Sequence, residues 1–417
     1  MSNTLKVIDM VTKEAMRIAH ESLSFIGTVD RQYDDSFKNS GGKIGSALRV
    51  RMPNQYTRRQ GSRIMDVQDQ NEATQTITMA TQDGFDMRFN SQELLQSVNS
   101  DAAFNDLSKN YISPAVKTCM SGIESDFLAL CTKAVYNTAG TAGTGITSLV
   151  APGAARAKLN QSLAPKDRRC VQMDSVTMGG LVNGVAAYFA PQSSIGDQYR
   201  EGMISRTGMA DWYENERVWT LVNGSDVTGT TDSTGLGTAN ADGSYSLVDM
   251  HTTVAVAAQN VGQVFTIAGV YACHPETKAA YASLQQFVIT GSSGNYSTVS
   301  PAIYLSGAKK NVVSSTGGTL TTTSFNSQTL TFVGSASTSY VQSLMYYPEA
   351  FQFVTGDLPL MDDAQKCQRL VQDGLSLRIW MASDIRNDEL LMRGDILYGM
   401  AALRPEWGCR MVGAANA

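Results

Sequence analysis

The sequence predicts an α+β chain whose body is interrupted by an antiparallel all-β insertion, a sandwich or barrel. Three observations predict this class. Apolar residues recur at three- and four-residue steps in several stretches of the first 190 positions, the mark of packed helices. Residues 221–340 hold only eight charged residues in 120 positions, about one third of the density elsewhere. Within them, Thr, Ser and Gly clusters separate short apolar runs such as Val264-Phe265-Thr266-Ile267-Ala268 and Leu330-Thr331-Phe332-Val333, as in an all-β unit. A charge-rich α/β pattern resumes afterwards, so the insertion separates two halves of one body.

The totals exclude several classes. The chain has 417 residues, 42% apolar and 17% charged, which fits roughly two to four folded units and not wholesale disorder. A net charge of −5 excludes a histone-like coat for polyanions. No run of about 18 apolar residues occurs, so no membrane helix is expected. Met1–Lys6 lacks the basic start and apolar stretch of a secretory signal, and the chain is expected to be made and kept in a cytoplasm. Six cysteines are scattered without a Cys-x-x-Cys pair. Cys119 and Cys131 share a predicted helix that separates them by ~18 Å, beyond disulfide reach. Free thiols are the expectation.

Residues 4–25 carry Leu5, Ile8, Val11, Ala15, Ile18 and Ala19 on one helical stripe, which must lie on something. A polar, glycine-bearing connection follows over 31–45. Ala47–Pro53 then alternates apolar and basic residues, a half-exposed strand ended by proline. Glu72–Asp86 is a second strand-like stretch. Arg58, Arg59 and Gly61 lie between them, so the simplest object is a two-stranded arm with a basic tip. Such a hairpin is marginal in water and wants a neighbour.

Ser113-Pro114 opens a long helix, serine as cap and proline in the first turn. Its stripe is Ala115, Cys119, Ile123, Phe127, Leu130 and Ala134, and it runs to about Asn137, with a backward extension through Phe104 and Leu107 possible in the pattern. A helix near 154–163, a strand at 169–173 and a glycine-weakened helix over 177–189 follow. Near the C-terminal end, Leu375, Leu377, Ile379 and Met381 alternate with Ser376, Arg378 and Trp380, and 395–401 is another strand.

Catalytic chemistry finds little support. Three histidines, none paired at ligand spacing, argue against a His or Cys metal site. His274 reads as a loop residue, and Asp362-Asp363, Asp384 and Asp388-Glu389 as solvated or ion-paired carboxylates. The glycine loop 140–145 follows a helix and lacks the lysine of a phosphate cradle. No catalytic residue, cofactor site or metal site is predicted. The one charge feature is the basic run Lys43, Arg49, Arg51, Arg58, Arg59 and Arg63, free of acids from 36 to 65. With Tyr56 as its only aromatic and an acidic chain around it, protein contact ranks ahead of nucleic acid.

Taken in order, these residues resemble phage major capsid proteins of the Hong Kong 97-type fold. The likeness is greatest to the coat proteins of the P-twenty-two type of short-tailed phages, whose insertion is a β-barrel. It is carried by Leu48–Pro53, Ser113–Val116, Gly262–Val270, Tyr347–Phe351, Gly374–Arg378 and Arg393–Gly399. The resemblance implies an N-terminal arm with the amphipathic helix (1–40), an extended β-hairpin loop (41–90) and a peripheral domain with the spine helix (91–175). It further implies an axial α/β body (176–220 and 339–417) and an inserted β domain (221–338). Gln263 and Tyr347 depart from the acidic residue and histidine common there. Lys43 is the arm's one lysine, so a Lys–Asn cross-link is not expected and the shell should be held non-covalently.

The implied function is structural. Hexamers and pentamers of the chain would assemble, with a scaffolding protein and a portal protein, into an icosahedral shell in the host cytoplasm. That shell would enclose double-stranded DNA without sequence specificity, and no membrane takes part. Arg49, Arg51, Arg58 and Arg59 are expected to contact acidic surface on a neighbouring subunit, with Glu124 and Asp126 as candidates. Leu5, Ile8, Val11 and Ile18 are expected to contact another subunit or the scaffold. The alternatives are a cytoplasmic α/β enzyme with a β-rich lid and a surface-layer protein suggested by the Thr/Ser/Gly-rich stretch.

Overall fold

The structure is a computed structural model describing residues 7–31, 47–59, 61, 63–65, 67, 74–90, 111–185, 210–225, 227–232, 235–245, 247, 250–251, 260–293, 296–361, 366–372 and 374–416. In its first third lie α1 (Val7–Ser22), α2 (Phe25–Thr28), β1 (Ala47–Arg51), β2 (Thr74–Thr78), β3 (Thr81–Asn90) and α3 (Ser113–Ala134). Next come β4 (Thr138–Ala139), α4 (Val150–Gln161), β5 (Cys170–Met173), α5 (Ser175–Val185), β6 (Asp211–Glu214) and β7 (Thr220–Val222). The insertion holds β8 (Thr228–Thr231), β9 (Met250–His251), β10 (Val264–Cys273), β11 (Ala280–Ser293), β12 (Tyr296–Ser300), β13 (Val312–Val313) and β14 (Thr329–Phe332). The chain ends with β15 (Ser339–Tyr346), β16 (Phe351–Gly356), β17 (Lys366–Gln372), β18 (Leu375–Asp384), β19 (Glu389–Ala402) and β20 (Gly408–Asn416).

The chain divides into two units, one of Met1–Val50, Gln75–Phe127 and Phe351–Ala401, the other of Arg51–Thr74, Leu128–Ala350 and Ala402–Ala417. In the first, β16-β19-β18-β17 form a sheet, β3 pairs with β19, and β1 pairs with β2 as a separate ribbon. The strand-like stretch predicted over 72–86 is therefore two strands. Only Thr74–Thr78 belongs to the arm, while Thr81–Asn90 pairs with β19 from Tyr398 to Glu389. At the change of sheet the backbones approach closely, and glycine permits it: a Cβ on Gly399 would lie 2.6 Å from the Thr78 carbonyl oxygen.

The core of this unit is aromatic. Phe25 and Phe127 have ring centroids 5.1 Å apart, Phe127 and Phe353 5.5 Å, and Phe353 and Tyr398 5.7 Å. The later part of the α1 stripe is satisfied within the unit: Ala15, Ile18 and Ala19 are buried together with Met16, and Thr12 Oγ1 donates to Gln368 Oε1 on β17 at 3.2 Å. Along α3 the buried residues are Val116, Met120, Ile123, Glu124, Phe127, Leu128, Cys131 and Thr132. The expected stripe shares Ile123 and Phe127 but is elsewhere rotated by one position, because bulky Val116 and Met120 take the core in place of Ala115 and Cys119. The proposed backward extension of this helix lies outside the described residues.

In the second unit, β4-β20-β15-β5-β6 form a sheet with β7 paired to β15. Ala155 and Leu159 of α4 and Met178, Leu181 and Val185 of α5 pack on its Val171, Met345 and Met411. The predicted helix over 154–163 starts earlier, at Val150, and the one over 177–189 is described only to Val185. The insertion forms an antiparallel sheet in the order β12-β11-β10-β14-β8-β9, with β13 on β10. Its core gathers Phe265, Ile267, Phe287, Ile289, Phe325 and Phe332. The sparse charge of 221–340 follows from this: the segment spends its apolar residues on its own interior and uses Thr and Ser outside.

Candidate assembly surfaces

The arm begins as the ribbon β1–β2, whose Val50 and Ile77 are buried. Alternation then puts Arg49 and Arg51 outward, and both are exposed, as are Arg58, Arg59 and Arg63. Lys43 lies outside the described residues. Arg59 Nη1 donates to the Ile64 carbonyl at 2.6 Å, closing the tip on itself. Four large apolar side chains of the same stretch are exposed: Tyr56 is 56% exposed, Ile64 81%, Met65 78% and Val67 77%.

Sequence reasoning weighed Tyr56 only as a lone aromatic and missed Ile64, Met65 and Val67. The signal was the apolar run Ile64-Met65-Asp66-Val67 beside Arg63 in an otherwise polar stretch. Tyr, Met and Arg are the residues enriched in protein interfaces. Singly exposed apolar residues are ordinary; four within twelve positions make this stretch a candidate contact surface.

The two acidic candidates differ. Asp126 is exposed, as expected of a docking partner. Glu124 is fully buried, which corrects its expected role: its Oε1 accepts from Ser24 N–H at 3.1 Å, from Ser24 Oγ at 3.0 Å and from Phe25 N–H. The carboxylate thus meets the free N–H groups at the start of α2. Of the N-terminal set, Ile18 is buried in its own unit, correcting its expected role as an external contact. Ile8 and Val11 lie on α1, and Leu5 falls outside the described residues.

Groups considered for chemistry have structural duties. His274 Nδ1 accepts the N–H groups of Glu276 and Thr277 at 3.1 and 3.2 Å, holding a turn. Asp384 accepts from the Arg386 N–H and the Asn387 side chain at the β18–β19 turn. Burial pushes the Cys170 and Cys409 thiols up to about 12, and Cys119, aided by Asp83 and Asp395, to about 11, so none is a ready nucleophile. All six cysteines are free. Among the described residues, no group of three or more His, Cys, Asp or Glu could hold a metal, and no helix is long and apolar enough to cross a membrane.

A sequence-family model for the P22 coat protein (gene protein 5) matches residues 154–413, well over half of the chain. The chain belongs to that coat-protein family. It is a phage major capsid protein, a structural component of the virion that associates with copies of itself, and not an enzyme. The match begins within α4 and takes in the whole insertion and β15–β19, so the arm and the whole spine helix lie ahead of it. Comparison with curated protein sequences gives no match.

Among solved structures, the coat protein is similar to a chain from Mycobacterium phage Che8, at 9% identity and TM-score 0.46, covering 93% of this chain and 90% of that one. The capsid of Ralstonia phage GP4 aligns at 8% identity and TM-score 0.44, over 91% and 86% of the two chains. A virus-like particle from Pyrococcus furiosus aligns at 7% and 0.39, over 97% and 98%. These scores lie below 0.5, so the assignment rests on the family match.

Proposed function

We propose that this coat protein builds an icosahedral shell of the Hong Kong 97 type, assembled in the host cytoplasm as hexamers and pentamers around a scaffolding protein. A portal protein would occupy one vertex, and the shell would receive double-stranded DNA without reading its sequence. Residues 221–338 act as the inserted domain, with the sheet β12-β11-β10-β14-β8-β9 closing towards a barrel through bridges such as Tyr245–Ile303.

The observation that carries the reading is the arm, which displays apolar and cationic residues together at its tip. In it, Arg49, Arg51, Arg58 and Arg59 meet acidic surface on a neighbouring subunit, Asp126 being the candidate that its own fold leaves exposed. Tyr56, Ile64, Met65 and Val67 supply the apolar contact. Leu5, Ile8 and Val11 contact a subunit or the scaffold, while Ile18 serves its own core. Shaving the tip by Ile64→Ser with Met65→Ser tests this. Sedimentation of the variant should show soluble subunits and few shells; a normal yield of shells would remove the arm from the assembly contact.

A further inference from the structure

Arg410, on β20, is fully buried, yet its hydrogen-bond partners among the described residues are carbonyl groups and not a carboxylate. Its Nη1 donates to the Gly262 carbonyl at 2.6 Å and its Nη2 to the Lys133 carbonyl at 3.2 Å. Lys133 lies in the last turn of the spine helix α3, where carbonyls lack helical partners and the dipole favours a cation. Gly262 stands at the entry of β10, the central strand of the insertion. One guanidinium therefore joins the end of the spine helix to the root of the insertion. Burial pushes it down to about 9, so it remains charged at neutral pH.

Two further contacts converge on this joint. Gln286 of β11 clasps the Thr138 peptide in both directions: its Oε1 accepts the Thr138 N–H at 2.9 Å and its Nε2 donates to the Thr138 carbonyl at 3.1 Å. Thr138 is also the partner of Arg410 in the parallel pairing of β4 with β20. Lys133 Nζ lies 5.3 Å from the ring centroid of Trp219, which leads into β7. Gly262 has φ +99°, and a Cβ there would lie 2.7 Å from the Trp219 ring, so glycine allows the carbonyl to face Arg410.

From these contacts we infer that Arg410, Gln286 and the Lys133–Trp219 pair form a latch, which fixes the inserted β unit in one orientation on the end of the spine helix. Arg410 is its positioning residue. The latch lies within a single chain, so unassembled subunits test it whether or not the shell reading holds.

The test is hydrogen–deuterium exchange on the full-length soluble chain with Gln286→Leu, which keeps the half-buried volume and removes both bonds to Thr138. The Thr138 amide should exchange roughly tenfold faster or more. Peptides spanning 260–264 should also lose protection, although they contain neither lost bond, while 265–267 and 330–332 in the insertion core stay protected. Lys133→Met, a milder change at a partly exposed position, should loosen 260–264 in the same way. If 260–264 keeps its protection in both variants, or Thr138 alone changes, the contacts are local and there is no latch.

Discussion

Arg378 and Asp395 form an ion pair away from water, 2.6 Å apart with 6% and 1% of their side chains exposed. Arg393 adds a second bond to the same carboxylate at 2.7 Å, and Arg378 Nη1 donates to the Pro359 carbonyl at 2.9 Å. Burial raises the affinity of Asp395 for a proton, but bonds from Arg378, Arg393 and Gln82 outweigh it and hold the carboxyl below its ordinary 3.8. Removing Arg378 leaves a buried carboxylate whose remaining cationic partner is the half-exposed Arg393, so Arg378→Met should lower stability by about 3 kcal/mol in urea unfolding. Because the folded value is depressed, the contribution of Asp395 is complete above the unfolded value near 3.8 and falls away as pH drops through the folded one. The stability gap between the parent and Asp395→Asn should thus be constant from neutral pH down to about 5 and shrink below 4.

The same pair shows where the sequence could not be read. The alternation through Leu375, Leu377 and Ile379 predicts a strand wet on one face, yet Leu375–Ile379 is buried throughout. An arginine neutralised by a carboxylate 17 residues away looks, in sequence, like one facing solvent. Glu124 misled in the same way, since its partners Ser24 and Phe25 lie about 100 positions earlier. Spacing reports which face a residue is on; it does not report what covers that face.

For the strands and helices, local pattern did better. The ribbon β1–β2, the spine helix from Ser113 and the β-rich segment over 228–332 stand close to their expected positions, because each has a strong period or sharp punctuation. The split of 72–86 was illegible because it depends on Gly399, over 300 positions on. Gly399→Ala should force the Thr78 carbonyl away and cost about 1–3 kcal/mol, measured by thermal unfolding of soluble subunits. The later part of α1 is a similar case: its stripe announced a docking face but not that Ala15, Ile18 and Ala19 are buried by their own chain. Ile18→Ala should therefore destabilise the isolated subunit by about 2–4 kcal/mol, a loss that a residue reserved for external contact would not show.

At the scale of the particle, the proposed role of the arm is to dock on a neighbouring subunit. Exposed charge pairs contribute only ~0–1 kcal/mol each, so no single arginine should be essential. A shell repeats every contact in each subunit, however, and small losses multiply over a closed surface. The family supplies the coat function, and the exposed stretch holding Arg58, Arg59, Tyr56, Ile64, Met65 and Val67 is the proposed surface through which it is exercised. The most direct measurement is negative-stain imaging with velocity sedimentation of the chain, expressed with a candidate scaffolding protein, in parent and Arg58→Glu/Arg59→Glu forms. The parent should yield closed shells and the double variant folded, soluble subunits without them. A parent that gives only a small discrete oligomer would contradict the account, as would a double variant that closes normally and merely packages less DNA.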